Sequence, residues 1–249
     1  MGRILALGIL GTLAGAEIKV PKVPWVPEVP WVLVVLMLVL LLGKTPAAQS
    51  VSSITGTITT SAKGAAPVRV TIDQNICGSE LPDEAIVVDA QGRLANAVVI
   101  LTGVKRPAGG DTIVTNEKCR FGPRVQLARP KGNIRTTSKD PILHTTQAQE
   151  ESGRSIFNVA LPMPGINISK PIGGAGIVRL SCNTHPWMRG WMIVTDDAAA
   201  VSGADGQFTI DNVPPGTYEL RVWHEALKGV PQKITVVAGK PTEINFQMK

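Results

Sequence analysis

From residue 52 onward, apolar and polar side chains alternate with a period of two, the spacing of a strand with one buried face. Ile54-Thr-Gly-Thr-Ile58 and Val68-Arg-Val-Thr-Ile72 alternate cleanly, and Ala85-Ile-Val-Val88 less so. Leu94-Ala-Asn-Ala-Val-Val-Ile-Leu101 is nearly continuous in its apolar residues and predicts a largely buried strand. After the turn cluster 105–111, with Pro107, Gly109 and Gly110, short strands are predicted over 120–127 and 133–137. Asp140-Pro-Ile-Leu-His144 carries an imidazole out of a strand and into a loop. Strands over 155–161, 177–182 and 190–195 follow, with a Pro/Gly-rich connector up to Pro171.

The Ala-rich stretch 196–203 reads as a connector and a domain boundary. Beyond it the pattern predicts strands at 204–210, 213–224, 232–237 and 242–246, with turn signals at Asp205-Gly206 and Pro214-Pro215-Gly216. About fifty residues make a small sandwich for a chain without staples. Either this module packs on the domain before it or it borrows strands from the 52–105 region. Gly92-Arg-Leu-Ala-Asn-Ala-Val-Val99 itself passes for an opening strand of the module.

Residues 1–50 differ in texture. Arg3 precedes a short apolar run, a Pro-punctuated stretch follows from Val20 to Pro30, and Trp31 to Gly43 is uncharged. Thirteen helical residues reach about 20 Å, short of the roughly 30 Å hydrocarbon core. The length fits the apolar region of a signal peptide, with cleavage after Ala47 or Ala48. The long stretch before that run keeps an uncleaved membrane anchor open as the alternative. Either way the rest of the chain is expected to be exported, to the periplasm or the outer face of the cytoplasmic membrane.

Composition adds little to the fold and more to the chemistry. Of 249 residues, 18% are charged and 44% hydrophobic, which excludes a disordered composition. With 25 Gly and 19 Pro and few helical patterns, the chain reads as all-β. The net charge of +6 is scattered, with no basic cluster interleaved with aromatics, so nucleic acid is not an expected partner. Net charge of this sign biases encounters toward acidic proteins.

There are 3 Cys, and they divide into two and one. Cys77 and Cys119 sit in matching turn-rich contexts and are expected to pair as a disulfide in an oxidising compartment. Two buried free thiols are the alternative. Cys182 belongs to Ser181-Cys-Asn-Thr-His-Pro-Trp-Met188, which places a thiolate, an imidazole and a thioether on one loop. A soft sulfur, a borderline nitrogen and a weaker second sulfur suit copper, and His144 is the candidate for a second imidazole. Zinc is disfavoured by the thioether, and a c-type haem lacks its Cys-x-x-Cys-His motif. The third histidine, His224, reads as an exposed structural residue.

Cys182-x-x-His185-x-x-Met188, with Pro186 and Trp187 before the Met, resembles the copper loop of the cupredoxin (blue copper) family in its short, amicyanin-like form. The resemblance implies a Greek-key sandwich over 51–197, the strands from Ile54 to Leu101 forming its first half. It implies one mononuclear type 1 copper on His144, Cys182, His185 and Met188, the last as a weak axial ligand. It also implies a partly exposed His185 edge, with Pro186 and Trp187 in a partner-docking patch; Trp187 as plain core is the other reading. The family commonly has Asn after its first His ligand, where this chain has Thr145, which puts the stiffness of the site in question. Asp205-Gly-x-Phe208 with Val213-Pro-Pro-Gly-x-Tyr218-x-Leu220 resembles the carboxypeptidase regulatory-like β-sandwich, a transthyretin-like module, here over 198–249.

The function expected is one-electron transfer with an unidentified redox partner protein, not enzymatic catalysis. Protein ligands fill the site, no histidine is spare for a second copper, and no nucleophile elbow or phosphate loop occurs. Two alternatives stand: copper binding or delivery without rapid electron exchange, and a surface or assembly module that needs no metal.

Overall fold

Residues 50–249 are described by the structure, a computed structural model. The signal or anchor segment expected over residues 1–50 lies outside them but for Ser50, and no helix among the described residues is long and apolar enough to cross a membrane. Among the described residues the fold is all-β, with one helical turn.

The first strands are β1 (Ser52–Thr60), β2 (Val68–Arg69), β3 (Glu80–Leu81) and β4 (Val98–Lys105), with helix α1 (Gln74–Cys77) between β2 and β3. Then come β5 (Asp111–Glu117), β6 (Arg120–Gly122), β7 (Val125–Ala128), β8 (Asn133–Ser138) and β9 (His144–Glu150). They are followed by β10 (Ser155–Leu161), β11 (Asn167–Pro171), β12 (Gly176–Ser181) and β13 (Arg189–Val194). The C-terminal strands are β14 (Asp197–Val201), β15 (Gln207–Val213), β16 (Gly216–Trp223), β17 (Gln232–Val236), β18 (Thr242–Glu243) and β19 (Phe246–Met248).

Two sandwiches result. In the first, a sheet ordered β10-β9-β12-β13-β7 faces one ordered β11-β8-β5-β6. Val114, Phe121 and Ile134 from one sheet meet Ala148, Leu180 and Met192 from the other in its core. In the second, β15-β1-β18 with β19 faces β14-β4-β16-β17, and Ile54, Ile58, Phe208 and Phe246 pack on Val99, Leu101 and Leu220.

β1 and β4 therefore join the C-terminal strands, and the expectation that 54–101 forms the first half of the copper sandwich is corrected. That first half comes from β5 to β8. The physical reason is core size: β14 to β19 alone offer too little apolar surface to bury, and β1 and β4 complete both of their sheets. The stretch 196–203, expected as a connector, is largely β14, an antiparallel neighbour of β4. Its small side chains let it lie close, with Ala198 buried in the core.

The continuous apolar run in β4 has a direct cause. Val99 and Leu101 face the second core, while Val98 and Ile100 face the outer side of the first sandwich, against Val125, Leu127, Trp191 and Ile193. A strand covered on both faces does not alternate. Each fully buried Val or Leu there contributes about 1.5–3 kcal/mol. At this joint Arg124 grips Glu225 with two prongs, Nε to Oε1 at 2.6 Å and Nη2 to Oε2 at 2.8 Å. Next to it His224, expected to be exposed, is buried, and its Nδ1 accepts the Ala226 N–H at 3.2 Å.

Candidate metal centre

Cys182 is the first residue after β12, and the loop it opens closes at β13. β12 and β13 are antiparallel neighbours, so Cys182, His185 and Met188 sit on a short connection with both ends held. The turn is tightened by the Met188 N–H, which donates to the His185 carbonyl at 2.9 Å. His144 does not leave a strand, as the sequence implied, but opens β9. Because β9 is hydrogen-bonded to β12, with Ser181 opposite Gln147, His144 and Cys182 meet at the same end of the sheet.

Three donor atoms converge there. His144, Cys182 and His185 each present a ligand atom, all within 4.8 Å of one another and all on buried residues. Cys182 Sγ lies 4.0 Å from His144 Nδ1 and 3.7 Å from His185 Nδ1. A metal bonded at about 2.05 Å to nitrogen and 2.3 Å to sulfur, with angles near 110–120°, spaces such atoms about 3.6–3.8 Å apart. The observed separations fit that spacing with little movement. The two imidazole rings are 4.6 Å apart between centroids. Met188 is buried in the same core, 1% exposed.

The far nitrogen of each imidazole is held by a carboxylate. His144 Nε2 is 2.9 Å from Asp140 Oδ2, and His185 Nε2 is 3.0 Å from Asp73 Oδ2. A carboxylate only accepts, so each Nε2 carries a proton and Nδ1 is the nitrogen that faces Cys182. Carboxylates placed in this way orient metal-binding imidazoles and raise their basicity.

The sulfur is also prepared. Burial acts to raise the Cys182 thiol, but hydrogen bonds from the His144 ring and from the Thr145 and His185 backbone N–H groups outweigh it and bring it down to about 5. Burial likewise pushes the His144 imidazole down, and its contacts with Cys182 and Asp140 reverse that, leaving it raised. A thiolate at neutral pH is what a soft metal needs.

Thr145, where the cupredoxin resemblance implies Asn, spans the segments that carry His144 and Cys182. Its backbone N–H reaches Sγ at 3.3 Å and its hydroxyl at 3.7 Å, while the hydroxyl oxygen accepts the Asn183 N–H at 2.7 Å. The shorter side chain ties the loops because β9 brings it close.

Cys77 and Cys119 form a disulfide with Cα atoms 5.4 Å apart. The expected docking edge is different. His185 is fully buried because residues 68–81 fold over this end of the sandwich and lay Asp73 on its ring. Trp187 is half-buried, its indole N–H donating to the Cys119 carbonyl at 3.2 Å, and only Pro186 is exposed. Pro186 and Trp187 line a cavity of about 440 Å³ together with Arg69, Arg120, Arg124 and Arg189.

Two residues that matter here carried no warning in the sequence. Asp140 stands four positions before His144, an acidic neighbour that spacing alone makes unremarkable. Asp73 is 112 positions from His185, and only the fold brings it there.

Similarity to known proteins is confined to parts of the chain. No curated protein matches it. A purple cupredoxin from Nitrosopumilus maritimus is similar at 19% identity over 34% of this chain and 100% of that one, with a TM-score of 0.30. A reduced amicyanin variant shares 15% identity over 40% of this chain and 99% of that one, with a TM-score of 0.31. A copper-containing nitrite reductase from Thermus scotoductus SA-01 shares 17% identity over 38% of this chain and 24% of that one, with a TM-score of 0.29. Residues 191–249 match the family model of the carboxypeptidase regulatory-like domain, and the structural neighbours of the chain include a purple cupredoxin and amicyanin.

Proposed function

We propose that this protein is an exported electron carrier in which His144, Cys182 and His185, with Met188 as a weaker fourth donor, would hold one mononuclear copper. The observation that carries the reading is the convergence of two Nδ1 atoms on one depressed-pKa thiol, each imidazole backed by a carboxylate. Copper supplies a one-electron couple, and a thiolate with two imidazoles is the donor set that suits both of its oxidation states. The chain's part is stiffness. β9, β12 and β13 fix the donors, and Thr145 and the two carboxylates hold them against movement when charge changes.

Four protein donors leave no place for a substrate, so the proposal is a carrier and not an enzyme. Delivery of copper to another protein is the weaker reading, because His144 and His185 are fully buried and a competing ligand has no approach to them. The Cys77–Cys119 disulfide fits a location outside the cytoplasm, in the periplasm or at the outer face of the cytoplasmic membrane. The partner would be a redox protein, and the net charge of +6 favours one with an acidic surface.

The test is the visible and EPR spectrum of the purified protein after addition of Cu(II). An intense sulfur-to-copper band that disappears on reduction and is missing in Cys182→Ser supports the proposal. A spectrum without that band, or one indifferent to Cys182→Ser, removes it.

A further inference from the structure

The segment laid over His185 is built with care for one side chain. β2 and β3 pair as a small two-stranded sheet, and α1 is the turn between them. The loop is closed by the Val70 N–H donating to the Ser79 carbonyl at 2.9 Å, with Gln74 Nε2 reaching the Val70 carbonyl at 2.6 Å. Val70 is fully buried and anchors the segment in the first core. At its tip Asp73 takes a left-handed backbone, φ 54° and ψ 36°, and its carbonyl accepts the N–H groups of Ile76 and Cys77. Aspartate tolerates this conformation better than most residues, at some cost. The Asp73 side chain does not cap its own helix. It is spent on His185 Nε2 instead.

The other end of the segment is fastened to the opposite ligand. Cys77 is bonded to Cys119, which with Lys118 forms the two-residue turn between β5 and β6, both at positive φ. The consecutive N–H groups of Lys118 and Cys119 make a concave site for an anion, and Asp140 fills it at 2.7 and 2.8 Å. Asp140 then holds His144. The path from His185 through Asp73, Cys77, Cys119 and Asp140 to His144 is continuous, and it closes at Cys182.

We infer that Asp73 is a positioning residue for the His185 ligand, delivered by the disulfide-fastened segment 68–81, fixing which imidazole nitrogen faces the metal and placing a negative charge beside it. The inference rests on the copper reading for its consequences but not for its geometry. Asp73→Ala releases Nε2 and leaves the ring without a partner. Asp73→Asn keeps a left-handed tip and an acceptor oxygen while removing the charge.

Two measurements on the full-length protein decide the matter. In the metal-free protein, nitrogen-15 NMR of the His185 imidazole reports the Nε2–H tautomer in the wild type and in Asp73→Asn, and a mixture of tautomers in Asp73→Ala. With Cu(I) and a competing chelator, Asp73→Ala raises Kd about 10–100-fold. Asp73→Asn stays near wild type in affinity but has a higher reduction potential, because an anion beside the metal favours Cu(II). A wild-type tautomer and an unchanged Kd in Asp73→Ala overturn the inference. Should that variant not fold, an unchanged potential in Asp73→Asn overturns it. If the wild type binds no copper, the proposed function fails, and the metal-free NMR comparison still decides the role of Asp73.

Discussion

Asp140 holds His144 from four residues upstream, its Oδ2 2.9 Å from Nε2, while the same carboxylate accepts two backbone N–H groups at the tip of the β5–β6 hairpin. One buried side chain thus stabilises a strained turn and aims a ligand. Asp140→Ala removes all three contacts. Since a hydrogen bond to a charged group contributes about 1.5–3 kcal/mol, the variant is expected to lose roughly 3 kcal/mol or more in urea unfolding. Its copper affinity should fall about 10–100-fold. Unchanged unfolding would mean that water replaces the carboxylate at this turn.

The disulfide offers a second test. Its cysteines are 42 positions apart, and a loop of that length gives about 4 kcal/mol in the chain-entropy account. Cys77→Ser with Cys119→Ser should therefore unfold at lower temperature, measured by calorimetry. The segment 68–81 should loosen with it, so amide exchange at Asp73 and Ile76 rises while exchange in β12 and β13 changes less.

The joint between the sandwiches depends on Arg124 and Glu225, whose side chains are 10% and 7% exposed. Removing one partner strands the other in a place that water reaches poorly. Glu225→Ala should cost about 3–5 kcal/mol, most of it the uncompensated guanidinium. Arg124 also lies 3.7 Å from Glu84, so Glu225→Ala at the low end of that range indicates that Glu84 takes over. Charge pairs at the surface, such as Arg221 with Glu219, should give far less on the same assay.

Acid should weaken the second sandwich through His224. Burial lowers its pKa from the ordinary 6.5; Glu225 opposes that and Arg124 adds to it. Below 6.5 the unfolded chain takes up a proton that folded His224 resists, so the unfolded state is favoured. The stability present above 6.5 is lost as pH falls toward the folded value. His224→Asn retains an acceptor for the Ala226 N–H and cannot titrate. The difference in unfolding free energy between wild type and variant should therefore change between pH 7 and 5; a constant difference would rule out His224 as the cause.

The chain's local chemistry was legible as written. Cys182, His185 and Met188 share one loop, and the strands around them alternate with a period of two, so an imidazole and two sulfurs on a β-connection follow from neighbours in the chain. The same reading could not place His144, because β9 meets β12 only through sheet pairing. It also left β1 and β4 open, as half of the copper sandwich or as strands borrowed by the C-terminal module, and the structure takes the second course. Alternation says that one face of a strand is buried without saying which sheet buries it, and the unbroken apolar run of β4 says only that both faces are covered.

Contacts between residues close in the chain are limited by short-range geometry, and a sequence pattern records them. The burial of His185 under Asp73, the meeting of the two carboxylates through Cys77 and Cys119, and the loan of two early strands to the last sandwich depend on chain segments far apart. Those were decided when the apolar faces found partners in the folded molecule, since only the complete set of buried surfaces determines which distant segments lie together.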